Sequence, residues 1–109
     1  MGAEMGIIAP HRHPLDLATV QPELAATASP GVQPLLKWKR GRLPSVQIFA
    51  DHGDGKFAFL TSSVLSRFTD HSPLPPRGTA AVWNYKAIYY KDDAQIGQWS
   101  KTVSVTVTG

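Results

Sequence analysis

The sequence predicts an all-β chain, a seven-stranded antiparallel β-sandwich behind an extended N-terminal leader. Residues 102–108 read Thr-Val-Ser-Val-Thr-Val-Thr, which places Val on one face of a strand and hydroxyls on the other. Residues 83–90 alternate as well: Trp83, Tyr85, Ala87 and Tyr89 share one face, and Asn84 and Lys86 the other. Clusters of Gly, Pro and Asp punctuate the chain at short intervals, with no long stripe of helical period between them. Short alternating runs separated by turn residues call for antiparallel sheets packed on one another.

In chain order, residues 1–20 come first as a linker or leader. They hold Pro10, Pro14 and a His11-Arg12-His13 cluster, and sustain neither period. The apolar run Ile7-Ile8-Ala9 stops at Pro10 and follows no basic segment, so a secretory signal peptide is not expected. The alternative is a short helix from Pro14 to Val20 capped by Asp16. The sandwich occupies residues 21–109. Its first strand is 24–28, ahead of Ser29-Pro30-Gly31. The second is 35–39, with Leu36 and Trp38 inward and Lys37 and Lys39 outward; it starts after Pro34, which has no N–H to donate, or runs along an edge there. Val46, Ile48 and Ala50 define the inner face of a third strand. The turn Asp51-His52-Gly53-Asp54-Gly55 leads from it to a fourth at 57–60. A weaker strand at 64–69 precedes a loop marked by Pro73, Pro75, Pro76 and Gly78. Strands 83–90 and 102–108 form a last hairpin through the polar connection 91–97.

Composition sets outer bounds. A chain of 109 residues is one domain, and with 42% hydrophobic residues it buries an adequate core. The absence of Cys excludes thiolate metal sites, Cys nucleophiles and disulfides. No apolar run reaches the ~18–20 residues that span a membrane. The net charge of +3 is mild. None of these quantities fixes a compartment.

With these elements in place, the chain resembles a fibronectin type III domain over residues 22–108. Leu36-Lys37-Trp38 stands where the family carries a Trp on its strand B, and 46–49 before a Gly-containing turn is similar to its strand C. Residues 83–89, after a loop with Pro and Gly, look like strand F. Gln98-Trp99-Ser100 followed by Val103, Val105 and Val107 looks like strand G of many bacterial members. The resemblance implies a tyrosine corner at position 83, where this chain has Trp, with Tyr85 one inward position later. Either the corner is made differently here, or the strand stands two residues out of the family register. Arg40-Gly41-Arg42 lacks the acidic residue of an integrin-type Arg-Gly-Asp, and a single Trp99-Ser100 is half of a cytokine-receptor repeat, so neither function carries over.

Candidate chemistry is sparse. His11 and His13 have metal-ligand spacing but no third donor nearby apart from Asp16, and are read as solvated. Residues 51–55 would begin a calcium loop only with a Glu at position 62, which is Ser, so they are read as a turn. Asp70 and His71 adjoin, but neighbours on a strand point to opposite faces and no nucleophile elbow is present. Asp92-Asp93 share a loop without a cleft. No catalytic, cofactor or metal residue is therefore expected, and no enzyme activity. Lys37, Lys39, Arg40 and Arg42 form a basic patch, read as a solvated strand edge that blocks aggregation rather than a nucleic-acid site. Trp38, Tyr85 and one of Trp83 or Tyr89 are expected in the core, leaving Phe49, Ile88 and Tyr90 as an outward apolar contact surface. The expected function is a non-catalytic spacer or protein-interaction module of a larger assembly, contacting neighbouring domains. The alternative is an accessory module that binds carbohydrate on exposed aromatics of one sheet.

Overall fold

The computed structural model describes residues 20–39, 43 and 45–109, and among these there are eight strands and no helix. The leader expected over 1–20 lies, apart from Val20, outside the described residues, as do Arg40 and Arg42. The strands are β1 (Leu24–Ser29), β2 (Val32–Trp38), β3 (Ser45–Asp51), β4 (Ala58–Ser63), β5 (Arg67–Thr69), β6 (Ala80–Lys91), β7 (Ala94–Ile96) and β8 (Val103–Thr108). One antiparallel sheet has the order β1-β2-β5. The other runs β4-β3-β6, with β7 and β8 both paired to β6.

The inward alternation builds the core. Leu36 and Trp38 of β2 meet Val46, Ile48 and Ala50 of β3, and Trp83, Tyr85, Ala87 and Tyr89 of β6, with Val107 of β8 closing one end. Trp83 and Tyr89 are both buried, not only one of them. Residues from both sheets make this single cluster, so the sheets stack as a sandwich held by aromatic and aliphatic packing.

Three local differences from the sequence pattern have physical causes. The connection expected over 91–97 contains a short strand of its own, β7, which makes eight strands where seven were expected. β7 pairs with β6 at Tyr89–Lys91, and β8 pairs with it at Ala80–Tyr85. Gly97, at φ +81°, turns the chain between them, and a Cβ there would collide with the Val20 carbonyl oxygen. The connection to β7 is shorter than a long polar loop. Asp92 and Asp93 take φ of 53° and 63° and form a two-residue turn, which short polar side chains tolerate. Finally, β2 runs through Pro34 although it is the middle strand. Pro34 lies opposite an irregularity between Thr27 and Ser29, where the ladder to β1 skips and no N–H is required.

Candidate functional site

Two surfaces and one buried network gather the residues with chemical potential. The network centres on Asp70, which follows β5 and has no exposed surface. Its Oδ2 accepts from the Tyr85 hydroxyl at 2.6 Å and faces Nε2 of His52 at 2.7 Å. Its Oδ1 accepts from the Ser72 hydroxyl at 2.6 Å and the Ser72 N–H at 3.0 Å. Burial works to raise the Asp70 carboxyl, but donors from Ser72, Tyr85 and His52 outweigh it and hold the pKa below the ordinary carboxylate value. A carboxylate can only accept, so Nε2 of His52 carries the hydrogen. Burial, and then the bond to Asp70, raise the Tyr85 phenol well above its usual range.

The partner of Asp70 is thus His52, from the β3–β4 turn, and not the adjacent His71, whose ring lies 6.4 Å from that of Phe68. Sequence neighbours could not reveal this, because the contact spans 18 positions and both sheets. The Tyr85 hydroxyl goes to a side-chain carboxylate rather than to backbone, and Trp83 packs edge to face on His52 at 4.5 Å. His52, Ser72, Pro73, Pro75, Ala81 and Trp83 line a shallow depression of about 410 Å³ above the network. Ser72 gives its hydroxyl hydrogen to Asp70 and not to His52, so the arrangement lacks the nucleophile-to-base bond that acyl transfer requires. Among the described residues no group of three or more His, Asp or Glu is placed to hold a metal ion, and His11 and His13 lie outside them. The 51–55 segment is a turn in which Asp51 accepts from the N–H groups of Gly53 and Gly55 at 2.9 and 3.0 Å.

The outer face of the larger sheet carries the aromatic surface. Phe49 and Lys86 stand opposite each other in the ladder, and Trp99 folds back over both. The Phe49 ring meets Trp99 at 5.0 Å and 85°, and Phe59 at 5.6 Å and 82°. The Lys86 ammonium sits 4.3 Å from the Trp99 centroid and 4.6 Å from that of Phe57. Of the three residues expected to form a contact surface, Phe49 is half-buried beneath these rings and Ile88 is buried at 4% exposure. Tyr90 is half-buried, and its hydroxyl donates to Asp93. The aromatic ring open to solvent is that of Phe59 on β4, at 56% exposure, which the alternation placed in a strand without marking its face.

The basic residues divide. Lys37 stands on β2, which is flanked by β1 and β5, so it occupies a sheet face and not a sheet edge. Lys39, just past the strand, forms an exposed ion pair with Glu23 at 3.4 Å. Arg67, which the sequence pattern did not single out, lies directly opposite Lys37 on β5. Arg40 and Arg42 are outside the described residues. Among the described residues no helix is long and apolar enough to cross a membrane. No protein-family model matches the chain, and no curated protein matches its sequence.

Proposed function

We propose that this chain is a non-catalytic module of fibronectin type III-like build, acting as a spacer or protein-interaction domain in a larger protein or assembly. The pairing of β3 with β6, across two intervening strands, supports the family likeness, as does the position of Trp38 on the middle strand of the opposite sheet. The observation that carries the function is the geometry of the outer aromatics. Phe49 packs edge to face on Phe59 at 82° and on Trp99 at 85°, and Lys86 occupies the Trp99 face, so they form a self-packed cluster. A sugar-binding platform needs coplanar rings with open faces; here Phe49 stands edge to face with both neighbours and the Trp99 face carries the Lys86 ammonium, which favours the module reading. The contact surface under this reading is centred on exposed Phe59 rather than on Ile88.

The test is an NMR titration with gluco-, xylo- and chito-oligosaccharides, following the Trp99 indole and the Phe49 and Phe59 rings. The module reading expects no saturable shift at millimolar sugar. A saturable shift centred on Trp99 replaces it with the accessory carbohydrate-binding role.

A further inference from the structure

We propose that the outer face of the three-stranded sheet docks an acidic, extended polypeptide segment of a partner, through Lys37, Arg67 and Lys39. The inference rests on the reading of the chain as a protein-interaction module and names the chemistry of its partner. Lys37 and Arg67 are exposed and directly opposite on adjacent antiparallel strands, a pairing in which like charges repel. Neither forms an ion pair among the described residues. Protection of a sheet edge does not account for Lys37, because β2 has a strand on each side. The repulsion is relieved when an anion from outside sits between the two.

The surroundings favour a polypeptide. Lys37 and Lys39 lie two residues apart, roughly 7 Å along the strand, which is also the spacing of alternate side chains on an extended peptide. The face around them presents Ala25, Thr27 and Leu35 at register positions, and Trp38, the ring that lines the adjoining depression, is buried, so it gives a base no open face to stack on. A depression of about 430 Å³ lined by Glu23, Leu24, Ala25, Lys37, Trp38 and Lys39 lies at the same end of the sheet. Glu23 is the one described carboxylate beside it, in an exposed pair with Lys39 that a competing acid can displace. Asp70, at the end of β5, turns inward to Tyr85 and does not neutralise the face.

The test measures fluorescence anisotropy of a labelled peptide of alternating Glu and Ser with the whole chain, at about 150 mM salt where distant charges are screened. K37E/R67E is compared with K56E/R77E, which makes the same change in net charge elsewhere. The proposal expects about tenfold weaker binding for the first pair and less than about twofold for the second. K37Q/R67Q is read in parallel with thermal melts, so that a folding defect is not mistaken for lost contacts. Equal losses in both charge-reversed pairs, or no measurable binding by the wild type, overturn the proposal. So does tighter binding of single-stranded DNA or phosphatidylserine vesicles than of the peptide. Such a failure leaves the spacer reading standing, whereas sugar binding at Trp99 overturns that reading from the other sheet.

Discussion

The Tyr85 hydroxyl donates a 2.6 Å hydrogen bond to Oδ2 of Asp70, joining the middle of β6 to the residue that follows β5 in the opposite sheet. In a sandwich without Cys, this bond is a polar link across the interior. Asp70 also anchors the β3–β4 turn through His52 and the start of the β5–β6 loop through Ser72. A buried carboxylate is tolerable only because every one of these donors is present.

Tyr85→Phe keeps the buried ring and removes one donor from a buried charge. Hydrogen bonds to charged groups are worth about 1.5–3 kcal/mol, so urea unfolding should show a loss in that range with an unchanged m-value. Asp70→Ala should cost more, because Tyr85, His52 and Ser72 all lose their acceptor. A loss below about 0.5 kcal/mol for Tyr85→Phe would mean that water replaces the phenol and that the link is not structural.

The acid limb of the stability curve follows from the same carboxylate. The folded-state pKa of Asp70 lies below its unfolded value of about 3.9. Its contribution is therefore fully present above pH 4 or so, and disappears as pH falls through the folded pKa. Asp51 behaves alike, its carboxyl lowered chiefly by the Gly53 N–H against the opposing effect of burial. Urea midpoints measured from neutral pH down to about 2 should fall below pH ~4 for the wild type. Asp70→Asn should fall less steeply over that range, from a lower plateau. Tyr85 acts at the opposite end. Its raised pKa gives stability that is full below about pH 10 and declines above it, and Tyr85→Phe should remove part of that decline.

Ser100 shows how much the sequence could and could not disclose. Trp99-Ser100 was recognisable as the approach to the last strand, and the Val alternation after it matches β8. That Ser100 binds Ala87 through both its N–H, at 2.7 Å, and its hydroxyl, at 2.8 Å, was not, because the ladder gap it fills exists only once β7 and β8 separate. Inner faces were legible wherever alternation was strict, as at Val46–Ala50 and Trp83–Tyr89, whereas Ile88, on the outward parity of β6, is buried. The Asp70 network was illegible because it joins loops distant in sequence. Arg67 escaped notice because a single cation in a three-residue strand makes no pattern until its cross-strand neighbour is known. Ser100→Ala leaves the buried Ala87 N–H without an acceptor and should cost about 1–3 kcal/mol. Amide hydrogen exchange at Ala87 should quicken at the same time; unchanged protection there would rule out this role for the hydroxyl.

Gly97→Ala should be more damaging than its size suggests. The residue needs a φ of +81°, and the new Cβ would meet the Val20 carbonyl oxygen that accepts from the Gln98 N–H at 2.8 Å. Strain of this kind costs about 1–3 kcal/mol, and the contact with Val20 adds to it. Thermal melts give the total. Faster exchange at the Gln98 amide would locate the damage at the β7–β8 bend, whereas a uniform loss of protection would place it elsewhere.

Lys86 tests whether the outer aromatic cluster is a structural unit. Lys86→Met retains most of the apolar stem and removes the ammonium that faces Trp99 and Phe57. Each such contact is worth about 0.5–1 kcal/mol at an exposed site, so a loss of about 1–2 kcal/mol is expected. Trp99→Leu removes one of the two rings and also the edge-to-face contact with Phe49, and should cost more. The informative quantity is the double-mutant cycle. If the ammonium acts through the Trp99 face, Lys86→Met in the Trp99→Leu background should lose about half its effect, the remainder belonging to Phe57. Full additivity would show instead that Lys86 stabilises the sheet through its stem alone, and that the outer face is held by ring–ring contacts without the cation.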